Sequence, residues 1–214
     1  MKVLYFDTET TGLPKTKEPA STRADNWPHI VSIAWIVDDN GIKHEKYFVI
    51  KPKWIITEES IKVHNITQDI AERTGSDLEF VLNDFLSEKP DVIVAHNINY
   101  DWNVLINAIV WDCKMQYPVI PKLLCSMTLG SNICKIPVSY SKVKYKPPKL
   151  SELYEHIFKK PPPKNLHNSL VDVKVLVECC EEDNILRYMI GLPSKRVIVA
   201  ENVSRAKRPR TLEL

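Results

Sequence analysis

Apolar residues along this chain fall in short uninterrupted runs separated by polar, proline-bearing stretches. Lys2–Phe6 reads as a buried first strand, and residues 13–28, with Pro14, Pro19 and Pro28, read as a long polar loop. Ile30–Val37 is a second apolar strand; Asp38-Asp39-Asn40-Gly41 is a hairpin turn, and Ile42–Ile50 is the strand paired through it. Short helices are expected over 57–63 and 67–73, and Leu78–Leu86 has helical periodicity. A fourth strand, Asp91–Ala95, follows Lys89-Pro90; an amphipathic helix follows over Tyr100–Val110, and Leu123–Ser126 is a short fifth strand. Segment 135–149, rich in Pro and Lys, reads as a loop, and Leu150–Phe158 and Leu170–Cys180 read as helices. From about residue 192 onward there is no core pattern. A hairpin followed by strands alternating with helices predicts an α/β fold: a mixed five-stranded sheet with helices on both faces. Sites in such sheets sit at strand ends and nearby helix starts.

Composition narrows the class. The 214 residues are 44% hydrophobic and 26% charged, which fits a globular domain and excludes collagen-like or largely disordered chains. The pattern divides the chain into a domain over 1–187 and a basic tail over 188–214. Five cysteines, without C-x-x-C spacing, suggest buried reduced thiols and an intracellular, not secreted, protein. No apolar run approaches the ~20 residues of a membrane span, and Met1 leads directly into a strand, leaving no room for a signal peptide. The net charge is only +2, yet segment 118–165 carries +7 and residues 193–214 carry +4, leaving the remainder at −9. The basic parts suit a polyanion, and the acidic remainder suits a metal.

Three apolar segments end on carboxylates. In Phe6-Asp7-Thr8-Glu9-Thr10-Thr11-Gly12, Asp7 and Glu9 are two apart and share one side of an extended strand. Ala95-His96-Asn97-Ile98-Asn99-Tyr100-Asp101 joins the fourth strand to a helix, and His167-Asn168-Ser169-Leu170-Val171-Asp172 starts another. If these ends converge, four carboxylates surround one point and repel one another unless cations neutralise them. All-oxygen ligands select Mg²⁺, with Mn²⁺ able to substitute, over zinc. Two such ions ~4 Å apart stabilise the attacking and leaving oxygens of a phosphodiester. His167, with an ordinary pKa near ~6.5, suits deprotonation of an attacking water. Taken singly, each piece has a plain structural explanation as a loop, helix cap or surface pair; the combination in this order is far more specific.

These motifs resemble the DnaQ-like 3′–5′ exonucleases of the DEDDh class, within the ribonuclease H-like superfamily. Phe6 to Leu13 matches the first motif in full, and His96 to Asp101 matches the second. His167 to Asp172 matches His-x-Ala-x-x-Asp with Ser169 in place of Ala, and Asn168 stands where the Tyr-type class has tyrosine. Val63-His64-Asn65-Ile66-Thr67 is similar to the family's His-Gly-Ile-Thr, with Asn65 able to take the positive φ of the glycine. The similarity covers roughly residues 1–185. It implies that Asp7, Glu9, Asp101 and Asp172 hold two Mg²⁺ ions and that His167 is the general base. Thr10, Thr11 and Leu13 would hold the terminal nucleotide, Leu13 as a stacking wedge, while His64 and Asn97 would contact its sugar or phosphate. The substrate would be DNA and/or RNA with a free, single-stranded 3′ end. A homodimer, and a separate polymerase or repair partner, stay open.

Outside the motifs, Lys142, Lys144 and Lys146, interleaved with Tyr140 and Tyr145, suit phosphate pairing and base stacking on a single strand; a solvated Lys-rich loop explains them equally. Arg205-Ala206-Lys207-Arg208-Pro209-Arg210 suits a nuclear-import signal, a nucleic-acid tether or a plain solvated tail, so the compartment is cytoplasmic or nuclear. Two other readings compete. A haloacid-dehalogenase-type phosphatase also opens with an acidic motif, but needs Asp-x-Asp where this chain has Glu9. A catalytically weak nucleic-acid-binding module of the same fold would be expected to lack carboxylates that are all present.

Overall fold

The computed structural model describes residues 1–138 and 144–194. Lys142, Tyr140 and the basic run 205–210 lie outside the described residues. Five strands form one mixed sheet: β1 (Lys2–Thr10), β2 (Ile30–Asp39), β3 (Ile42–Val49), β4 (Val92–Ala95) and β5 (Lys122–Cys125), in the order β3-β2-β1-β4-β5. β1 to β3 form an antiparallel meander, and β1, β4 and β5 run parallel. The helices are α1 (Glu58–His64), α2 (Gln68–Thr74), α3 (Leu78–Ser87), α4 (Ile98–Asn107), α5 (Ser126–Cys134), α6 (Leu150–Phe158), α7 (Ser169–Glu182) and α8 (Asn184–Ile190).

Strand alternation divides the core in two. Leu4 and Phe6 of β1 pack with Trp35, Ile93 and Ala95 against Leu82 and Phe85 of α3 and Leu105 of α4. Val3 and Tyr5 pack with Ile36 and Val94 against Leu153 of α6, Val173 and Leu176 of α7, and Leu186 of α8. The expected mixed sheet with helices on both faces is therefore present. α5 and α8 lie outside the helices read from the pattern, and α4 continues through a π-helical turn at Ala108–Asp112. Among the described residues, no helix is long and apolar enough to cross a membrane.

β1 runs four residues past Phe6, the end expected from its apolar run. The reason is pairing rather than hydrophobicity: Asp7, Thr8 and Glu9 continue the ladder opposite Ala34, Ile33 and Ser32, and the register shifts between Glu9 and Thr10. Such a bulge re-aims the strand end. Segment 13–28 is a tightly held loop. Asn26, buried, accepts from Thr16 N–H at 2.8 Å and donates to Glu18 O at 2.9 Å. Ala20 N–H reaches Asn103 of α4 at 2.8 Å, and Trp111 Nε1 of the π-helical turn donates to Ala20 O at 2.6 Å.

Candidate active site

With Val3 and Tyr5 facing α7, the period of two along β1 turns Asp7 and Glu9 to the same side. There they meet Asp172 in the first turn of α7, where a helix N-terminus favours a carboxylate. Carboxylate oxygens of Asp7, Glu9 and Asp172 all lie within 4.8 Å of one another. α7 is docked at this end by Asn168, whose side chain caps Val171 N–H at 3.2 Å, and by a buried 3.0 Å bond between Ser169 Oγ and Ser32 Oγ. Ser32 pairs with Glu9 across the sheet. Ser169 therefore ties the third carboxylate's helix to the strand beside the second.

Asp101 arrives from the opposite face on α4. Thr8, pointing away from Asp7 and Glu9, receives it: Thr8 N–H and Oγ1 donate to Asp101 Oδ1 at 3.0 and 2.7 Å. That leaves Oδ2 for another partner. Asp101 is buried, yet its charge acts on both Asp7 and Glu9.

The electrostatics are those of a site built for cations. Burial, then the charges of Asp101, Asp172 and Glu9, holds the Asp7 carboxyl well above the ordinary carboxylate range. Burial, then Asp172 and Asp101, pushes Glu9 to about 8. Burial raises Asp101 to about 7 against the opposing bonds from Thr8. Burial also raises Asp172 to about 6, against the lowering effect of the His167 N–H and the His167 charge. None of the four forms an ion pair with Lys or Arg among the described residues. An all-oxygen cluster that repels itself and has no cationic side chain fits hard divalent ions.

His167 is exposed at the mouth with a left-handed backbone, φ 70°. Its N–H donates to Asp172 Oδ2 at 3.0 Å, and its imidazole shows no hydrogen bond among the described residues. This fixes the backbone beside Asp172 while leaving the ring available.

A cleft of about 560 Å³ adjoins the cluster, lined by Glu9, Thr10, Gly12, Leu13, Thr57, His64 and Tyr100 among others. Leu13 is 82% exposed there. His64 is buried: its Nδ1 accepts from Ile66 N–H at 3.0 Å, so the ring proton sits on Nε2, which finds no partner. Asn65 closes α1 at φ 61°, the positive value expected of it. Thr11 bonds instead to His29, through its N–H and its hydroxyl, and lines a neighbouring cavity of about 320 Å³. Asn97 stands at the start of α4 without a cap bond and outside the cleft lining. His96 is held between Ser126 Oγ and Pro148 O, and burial lowers it to about 4, so it stays neutral. In the basic segment, Lys146 pairs with Glu152 at 2.6 Å, and Lys144 lies over the Tyr145 ring.

Sequence reasoning singled out neither Thr8 nor Tyr100. The alternation that placed Asp7 and Glu9 on one side also placed Thr8 on the other, and that was the available signal. The Tyr100 hydroxyl lies 2.8 Å from Gly12 O and 2.6 Å from Thr10 Oγ1, contacts between residues 88 and 90 apart that no local pattern announces.

The RNase_T family model, described as an exonuclease, matches residues 4–180. PolC-type DNA polymerase III of Thermotoga petrophila is 35% identical over 105 residues, spanning 48% of this chain and 7% of that protein. The same protein of Thermotoga maritima matches equally, so this chain spans only a small part of these curated relatives. Among solved structures, exonuclease X in complex with 5′ overhanging duplex DNA superposes with a TM-score of 0.58 at 19% identity, covering 90% of this chain and 95% of that one. An E. coli exonuclease I–single-stranded DNA complex gives a TM-score of 0.62 at 18% identity, covering 85% and 40%.

Proposed function

The chain belongs to the RNase_T exonuclease family, DnaQ-like within the ribonuclease H-like superfamily, and on that premise we propose that it is a metal-dependent 3′–5′ exonuclease. It releases nucleoside 5′-monophosphates from the 3′ end of DNA and/or RNA. The observation that carries this reading is the convergence of Asp7, Glu9 and Asp172, with Asp101 behind them, beside a cleft of about 560 Å³.

Asp7, Glu9, Asp101 and Asp172 would hold two divalent ions, Mg²⁺ or Mn²⁺. Such ions, when bound, supply Lewis acidity to the phosphoryl group and balance charge on the attacking and leaving oxygens. The chain's own residues do the rest. His167, exposed beside Asp172 with a free ring, accepts the proton of the attacking water. The cleft receives the terminal nucleotide: Leu13 offers an apolar face to the base, Thr10 lines the cleft, and His64, which also lines it, is assigned to the sugar or phosphate. Thr11 braces this wall through His29. Asn97, Lys142, Lys144 and Lys146 are assigned weaker contacts along the incoming strand. The DNA complexes of exonucleases X and I support a nucleic-acid substrate, and the PolC-type relatives favour a polymerase setting.

The test is digestion of 5′-labelled single-stranded DNA, duplex DNA and RNA of equal sequence, in Mg²⁺ and in EDTA, with Asp7→Ala as control. A 3′-shortening ladder that needs both metal and Asp7 is expected, and the fastest substrate names the preference. Tight binding without a ladder would favour the binding module instead.

A further inference from the structure

Tyr100 precedes Asp101 on α4, but its hydroxyl turns away toward the end of β1. It donates to Gly12 O at 2.8 Å and lies 2.6 Å from Thr10 Oγ1, which itself reaches Gly12 O at 2.9 Å. Two hydroxyls from two elements thus close on one carbonyl. The Tyr100 ring is braced from behind by Trp27, with centroids 5.9 Å apart at 60°. Trp27 is held in turn by its Nε1 bond to Glu18 O at 2.8 Å.

Gly12 and Leu13 are the residues common to two cavities. One, of about 560 Å³, contains Glu9 and His64; the other, of about 320 Å³, contains Lys15, Trp27 and His29. Leu13 is the partition between them. Its side chain, 82% exposed, is not fixed by packing. Its position depends on the backbone before it: Thr11 N–H on His29 O at 3.0 Å, and the two hydroxyls on Gly12 O.

We propose that Tyr100 is a positioning residue: its hydroxyl sets the Gly12–Leu13 partition and thereby the seat of the 3′-terminal nucleotide. This rests on the exonuclease reading above and names a residue that governs how that site receives its strand. Tyr100 touches neither the reacting phosphate nor the ions. Its effect passes through Leu13.

The test is a double-mutant cycle of Tyr100→Phe and Leu13→Ala. It is read first as affinity for a fluorescent single-stranded oligodeoxynucleotide in EDTA, then as KM and kcat in Mg²⁺. One neutral hydrogen bond is worth about 1 kcal/mol, or roughly fivefold in affinity. Tyr100→Phe should weaken binding about fivefold and raise KM to match, with kcat and the Mg²⁺ midpoint unchanged. Once Leu13 is Ala, the second change should add little, because the hydroxyl acts through the side chain already removed. Additive effects, a Tyr100→Phe protein that binds like the parent, or a shifted Mg²⁺ midpoint would each overturn the assignment. So would a parent that binds no oligonucleotide. A parent that binds with the expected coupling but cuts nothing would sink the exonuclease reading and leave the Tyr100 assignment standing.

Discussion

Replacing Glu9 by Gln should make the metal-free protein more stable while removing its activity. Glu9 is buried, and burial with the charges of Asp172 and Asp101 raises it from 4.5 to about 8. A carboxyl raised on folding contributes stability that is complete below its unfolded pKa and is lost as the pH climbs through the folded one. The window for Glu9 therefore runs from 4.5 to about 8. At pH ~7.5 the folded site must keep a proton that the unfolded chain has released, at ~1.4 kcal/mol per pH unit above 4.5, or about 4 kcal/mol. Screening at the open mouth reduces this to about 2 kcal/mol. Gln keeps the shape and carries no charge. With a Tm response of ~2–4 °C per kcal/mol for a chain of this length, Glu9→Gln should melt ~4–8 °C higher than the parent in EDTA at pH ~7.5. At pH ~5 the two should nearly coincide, because little of the window has then been crossed. Millimolar Mg²⁺ should reverse the order, since an ion bound only by the folded state stabilises the parent more than the variant with one ligand removed. Circular-dichroism melting at two pH values, with and without Mg²⁺, reads all four conditions. A Glu9→Gln protein less stable than the parent in EDTA at pH ~7.5, or one stabilised equally by Mg²⁺, would refute the argument that these carboxylates are held in mutual repulsion for a cation.

Other expectations follow from the same geometry. His167→Ala should lower kcat by ~10²–10⁴, the range of a positioned general base, with oligonucleotide affinity and the Mg²⁺ midpoint unchanged in binding titrations. The Mg²⁺ concentration for half-maximal activity should fall between pH ~6 and ~8, because protons and the ion compete for Asp172, Asp101 and Glu9, raised to about 6, 7 and 8. Metal titrations of activity across that range would show a flat midpoint if the competition is absent. Asn168→Ala removes the cap on Val171 N–H at the start of α7 and should cost about 1 kcal/mol, read as a melting shift of ~2–4 °C. Thr8→Val removes the hydroxyl donor from Asp101 and should raise its pKa further, weakening Mg²⁺ binding in calorimetry severalfold.

Much of the sheet and the carboxylate convergence was legible because both depend on short-range periodicities. Asp7 and Glu9 share a side by the same period of two that buries Val3 and Tyr5. Asp172 falls in the first turn of α7 because Asn168 caps it. The end of β1 was misplaced because its last four residues are polar, and a polar strand held by the ladder opposite Ser32 to Ala34 leaves no hydrophobic trace. α8 was missed for a related reason. Its core contribution is two side chains, Leu186 and Ile190, too sparse a stripe to read as a helix.

The loop 13–28 marks where local reading stops. Its prolines and polar residues describe an excursion, and that is all they can describe. What holds it in place beside the cleft is distant in sequence: Asn103 and Trp111 at Ala20, and Tyr100 at Gly12 just before it. All three partners lie on one continuous helical stretch, α4 and the π-helical turn after it. That same stretch carries Asp101. The extra turn at Ala108–Asp112 brings Trp111 to the loop and sets Asp112 2.9 Å from His29, whose N–H in turn bonds Thr11. One helix therefore delivers a carboxylate to the cluster and braces the wall against which a terminal nucleotide would lie. On the proposed exonuclease reading, substrate preference would then belong to the brace rather than to the ligands. Changes at Trp111 or Asn103, remote from the acidic centre, should shift the relative rates on DNA and RNA without moving the Mg²⁺ requirement. Side-by-side kinetics of Trp111→Phe on the two substrates would decide it: equal losses on both would return specificity to the cleft floor alone.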